Sequence, residues 1–187
     1  MFPPIPSWDG LHPLIIHFPI ALLITAPVLV IAGLILANQR QGLFVGAFVL
    51  MLFGSIASFV AVSTGEAAGE LADRNEAVNA TLEEHEELAE LTRTLFALLT
   101  IVFAAILFGP RLLKRDLSPG VMSVVMVAFL LFYSGGVLVL TNTAHQGGRL
   151  VHELGVRAMM PTTDSGIPII PSADISNMTG KDEDDND

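Results

Sequence analysis

The candidate metal ligands of this chain are His12, His17, Glu66, His85, His145 and His152, of which spacing along the helices gathers His17, Glu66, His85 and His145 at nearly one level. Neutral imidazoles suit zinc, copper and iron, and a carboxylate can complete such a ligand set. Two imidazoles from different helices also suffice to hold a haem iron axially. The chain has no cysteine. That excludes a disulfide, a covalently attached c-type haem and a cysteine-ligated iron–sulfur cluster on this chain. No nucleophile–base pattern and no phosphate loop is present, so an independent catalytic activity is the least supported class.

The elements that must position these residues follow from charge and hydropathy. Of 187 residues 52% are hydrophobic and 15% charged, with a mean hydropathy of +0.63, which is a membrane composition. Nothing ionised lies between Asp9 and Arg40, Arg40 and Glu66, Arg93 and Arg111, or Asp116 and Arg149. A bilayer core of about 30 Å needs about 20 helical residues, so each stretch supplies one span. The reading is an all-α integral membrane four-helix bundle over 1–160, with spans at about 13–37, 43–64, 88–109 and 120–144. The third stretch is the shortest and reaches full length if Arg93 snorkels to the interface. No Lys or Arg precedes the first apolar stretch, so it reads as a permanent span and not a signal peptide.

Direction follows from the basic residues. The short loops 38–42 and 110–119 hold Arg40, Arg111, Lys114 and Arg115, and among the acids only Asp116. Short basic loops stay in the cytoplasm, which puts both termini outside. The outer loop 65–87 is acidic and helix-prone. Thr81 with Glu84 makes a capping box, which predicts that the third helix starts near Leu82. The stretch 161–187, with Pro161, Pro168 and Pro171 and the ending KDEDDND, reads as a disordered acidic tail.

On this topology no histidine is cytoplasmic. At about 1.5 Å per residue, His17 stands about 4 Å beyond the outer boundary, Glu66 about 6 Å, and His85 and His145 about 7 Å. His12 lies about 12 Å out and His152 about 18 Å. Each helix therefore brings one ligand-type side chain to nearly one level: His17, Glu66, His85 and His145. His12 and His152 are the weaker candidates. The seven-residue step from His145 to His152 keeps both on one face, but about 10 Å apart, too far for one ion. Gly147-Gly148 beside His145, and Gly65 with Gly69 after the second span, offer close approach to a neighbouring backbone or a flat cofactor.

The segments LHPLIIHFPIALL (11–23), STGEAAGE (63–70), EEHEELAE (83–90) and AHQGGRLVHELG (144–155) together resemble a group of bacterial four-helix membrane proteins, domain of unknown function 2231. That family often has a tyrosine-like residue where His152 stands here. The resemblance covers about 11–155 and implies a membrane domain without an assigned activity, in a bacterial cytoplasmic (inner) membrane. It places the important residues in the motifs that the height argument reaches.

Three functions remain open on these residues. One is a haem b site for electron transfer, with His17 paired with His85 or His145, and Phe18, Phe59 and Phe132 available to line the ring. Another is a single Zn, Cu or Fe ion on His17, Glu66, His85 and His145. The third is a non-catalytic membrane subunit packing beside a cytochrome or another redox or transport partner. The net charge of −10 argues against nucleic acid. The spans hold no Asp, Glu, Lys or Arg at mid-depth, which argues against ion pumping by this chain alone.

Overall fold

The computed structural model describes residues 6–114 and 117–156. The acidic tail expected over 161–187 lies outside the described residues. Every regular element among those described is helical. A short helix α1 (His12–Ile15) runs with one irregular residue into α2 (His17–Ile35), followed by α3 (Arg40–Glu70), α4 (Glu76–Leu112) and α5 (Pro119–His152). Pro13 supplies the first turn of α1. Pro19 cannot donate an N–H to the Ile15 carbonyl, and the helix is interrupted beside that carbonyl, at Ile16. The stretches Asp9–Ile35, Ala37–Glu70, Glu76–Leu112 and Pro119–His152 are each long and apolar enough to cross a membrane.

The connections are short, so sequential helices run antiparallel. Helices α2 and α3 pack together, as do α3 and α4, α4 and α5, and α2 and α5; the backbones of the diagonal pairs do not come close among the described residues. The result is an up-and-down ring of four. At about 1.5 Å per residue, α4 is about 55 Å long and overshoots a bilayer core of about 30 Å. The surplus is the acid-bearing first half of α4, which stands outside the apolar span together with the start of α1 and the end of α5.

The start of α4 differs from the sequence expectation. The helix begins at Glu76, with the Asn75 side chain accepting from the Val78 N–H at 2.9 Å. Asn75 is extended and outranks threonine as a cap. The residues after it are good helix formers, so the helix is well under way before Thr81, which is buried within it.

The core alternates large and small side chains along the bundle. Leu23, Ala26, Val30, Phe44, Met51 and Phe96 are among its buried members. Phe96 and Tyr133 meet edge to face at 5.3 Å, a favoured aromatic geometry. The outward faces are also apolar, with Phe132, Leu131, Val124 and Leu138 each more than 70% exposed. A helix apolar on all sides is stable only when lipid covers its outer face. Several polar groups within the spans turn inward and pair across helices: Ser55 Oγ bonds the Phe96 carbonyl at 3.1 Å and Thr100 Oγ1 at 2.8 Å.

One such pair has a direct sequence cause. Pro27 has no N–H to give to the carbonyl of Leu23, one turn earlier. The Tyr133 hydroxyl donates to that carbonyl at 2.7 Å and so ties α5 to α2. Tyr133→Phe should cost about 1 kcal/mol in detergent unfolding, within the range of membrane hydrogen bonds and of carbonyls left unpaired. A Tyr133→Phe/Pro27→Ala double variant should recover most of that loss, because the helix then satisfies the carbonyl itself.

Candidate cofactor site

The rotation of each helix decides which histidines face the bundle. His12 and His85 are half-buried and turned inward, whereas His17, His145, His152 and Glu66 are exposed. The structure therefore does not gather His17, Glu66, His85 and His145. Among the described residues no group of three or more His, Cys, Asp or Glu side chains is placed to hold a metal ion. The Glu66 charge reaches Glu86 of α4. Burial is the main cause that raises the Glu86 carboxyl above the usual range, Arg74 opposes it, and Glu66 adds to the rise.

The two inward histidines are held in the same way. His12 Nδ1 donates to the Ala61 carbonyl of α3 at 3.0 Å, with Thr64 Oγ1 at 3.2 Å. His85 Nδ1 donates to the Thr143 carbonyl of α5 at 2.9 Å. One turn after each acceptor stands a glycine, Gly65 or Gly147. A Cβ on Gly65 would stand 2.8 Å from His12 Cε1, and one on Gly147 would stand 3.0 Å from His85 Cε1. The missing Cβ atoms let each imidazole edge lie against the neighbouring helix and reach the carbonyl four residues before.

These bonds define the tautomer. A carbonyl only accepts, so Nδ1 carries the proton of each neutral ring and Nε2 carries a lone pair. No described residue bonds to either Nε2. Because no fully buried side-chain N or O atom lacks a partner among the described residues, both Nε2 atoms reach accessible space. A backbone carbonyl commonly fixes the second nitrogen of metal-binding histidines in the same way.

Both rings are biased to the neutral form that ligation needs. Both lie in the parts of α1 and α4 outside the apolar spans. Burial pushes His12 below its ordinary value, the bond to Ala61 opposes this, and the charge on nearby His85 lowers it further. Burial likewise lowers His85, against the bond to Thr143. A depressed imidazole gives stability that is complete above its unfolded value of about 6.5 and is lost as pH falls through the folded value. Thermal unfolding of the cofactor-free protein should therefore show a decline in stability from pH 7 to pH 5. A His12→Asn/His85→Asn variant, which keeps a donor but cannot titrate, should flatten that decline.

Other polar contacts at this end lie both between helices and along them. Thr143 Oγ1 meets Thr92 Oγ1 at 2.8 Å and donates to the Leu88 carbonyl at 3.1 Å. Arg149 bonds Gln146 and pairs with Glu153 at 3.1 Å, next to Gly147. Arg93 lies over the Phe59 ring at 5.4 Å and 3.7 Å from Glu90. The Ala61 and Thr143 carbonyls, the main fixed groups of the site, are backbone atoms that no residue pattern announces. The four-residue spacing from each to a glycine was the available signal.

The family described as "Predicted membrane protein (DUF2231)" matches residues 9–159, which include all four long helices and both inward histidines. No curated protein and no solved structure matches the chain. With four transmembrane helices and a match over most of its length, the chain belongs to the DUF2231 family of membrane proteins.

Proposed function

We propose that the histidine end of the bundle binds haem b between His12 and His85, in support of electron transfer at the outer face of a bacterial inner membrane. The observation that carries this reading is the number of inward ligands. A bare zinc or copper ion asks three or four ligands of the protein. A haem iron takes four nitrogens from its own ring and needs only two axial imidazoles. His12 and His85 come from different helices, with Nδ1 fixed and Nε2 open. The glycines hold the imidazoles in place and do not themselves line a pocket. When bound, the haem would supply one-electron exchange. The chain would supply two oriented neutral ligands and a partly desolvated setting.

The orientation in this reading comes from the short basic loops, with both termini on the periplasmic side. A cytochrome or another membrane redox subunit is then the partner class, reached from the histidine end. The test is a titration of the detergent-purified chain with haem, alongside a metal analysis. The reading expects saturation at one haem per chain. Stoichiometric zinc or copper with no haem uptake would replace it with an ion site. No uptake of either would leave a purely packing role.

A further inference from the structure

We propose that this chain is one helix hairpin used twice, its two copies facing each other across a two-fold axis along the bundle, and that the His12–His85 site lies on that axis. The ligand's identity rests on the preceding reading; the duplication does not.

The two histidine contacts set the correspondence before any other residue is compared. Matching His12 to His85 relates α1 and α2 to α4 by a shift of 73 residues. Matching Ala61 to Thr143 relates α3 to α5 by 82, and the same shift carries Gly65 onto Gly147. Burial then agrees in register. Leu23 falls on Phe96, Ala26 on Leu99 and Val30 on Phe103, all buried. On the other helix pair, Met51 falls on Tyr133 and Thr64 on Gln146, again all buried.

The specific contacts are stronger. Gly54 falls on Gly136. A Cβ on Gly54 would stand 2.8 Å from Leu23, and one on Gly136 would stand 3.3 Å from Phe96, the counterpart of Leu23. The carbonyls of that same pair each accept a hydroxyl from the opposite hairpin, Leu23 from Tyr133 and Phe96 from Ser55. Pro27, which frees the Leu23 carbonyl, corresponds to Thr100, whose hydroxyl bonds the Phe96 carbonyl at 2.7 Å. Both copies start and end on the same sides of the bundle, so the axis runs along the membrane normal, as in parallel membrane repeats.

This symmetry gives the site two equivalent imidazoles, one from each copy. A ligand that suits it presents two equivalent faces, as a planar metalloporphyrin does, and an asymmetric ion complex does not. The copies differ on their outer surfaces. Exposed Phe53 corresponds to Gly135, which has nothing near it.

The test compares matched substitutions in the full-length chain. Gly54→Leu and Gly136→Leu should lower the melting temperature in detergent by similar amounts, roughly 3–10 °C. Gly135→Phe should leave it unchanged. If the leucine variants fail to fold, Gly54→Ala and Gly136→Ala provide the same comparison. In the haem-loaded protein, His12→Ala and His85→Ala should give the same altered spectrum. Shifts differing more than about twofold within the glycine pair would overturn the duplication, whatever the protein binds. Matched glycine shifts with unequal histidine variants would overturn the on-axis site and leave the duplicated hairpin standing. Matched glycine shifts in a protein that takes up no haem would overturn the haem reading alone.

Discussion

Replacing His12 or His85 with alanine should abolish the six-coordinate haem spectrum, while His17→Ala and His145→Ala should leave it intact. The contrast is large because the four histidines differ in what they face. His12 and His85 are half-buried with Nδ1 on a carbonyl, whereas His17 and His145 are exposed. Loss of a partner behind a ligand commonly costs 10–100-fold in affinity. Loss of the ligand itself should cost at least that much in haem binding. Spectral titration of the four single variants measures it. Equal loss at His17 would place the ligands on the other faces of their helices.

The second large effect is expected at positions that carry no ligand atom. Gly65→Leu and Gly147→Leu put a side chain where the imidazole edge now lies, 2.8 and 3.0 Å from His12 and His85 at the Cβ alone. The glycines belong to regular helices, so the imidazole must give way and lose its carbonyl. Haem affinity should fall by roughly 10–100-fold, as for other groups that orient a ligand. Gly148→Leu, one residue on and facing open space, should bind as the parent does. If the leucine variants bind normally, the glycines have no positioning role.

How much of this was legible in the sequence depends on which coordinate is asked for. Spans were legible because charges interrupt the apolar runs, as at Arg40 and between Arg111 and Asp116. Height along the helix was legible because the rise per residue is fixed. Rotation about the helix was not, because a membrane helix is apolar toward both the core and the lipid. On α2, the steps of seven from His17 reach Ile24 and Ile31, which are exposed. Those from His12 reach Pro19 and Ala26, which are buried. Hydropathy does not separate the two series.

On α4 a usable signal did exist. His85 leads by sevens to Thr92 and Leu99, both buried, and a polar residue within a span tends to face the bundle interior. Helix α2 offers no such marker. The one polar side chain in its middle, Thr25, is exposed and bonded to the Ala21 carbonyl of its own helix. Asn75 shows the same limit at a helix start. The capping box at Thr81 falls inside the helix, because Asn75, a stronger cap six residues earlier, sets the boundary.

The most direct test of the central claim is the electron paramagnetic resonance spectrum of the oxidised, haem-loaded full-length protein. Two imidazoles held through Nδ1 on backbone carbonyls predict a low-spin, six-coordinate ferric signal at one haem per chain. A five-coordinate high-spin signal, or a protein that takes up no haem, would contradict a site built on His12 and His85.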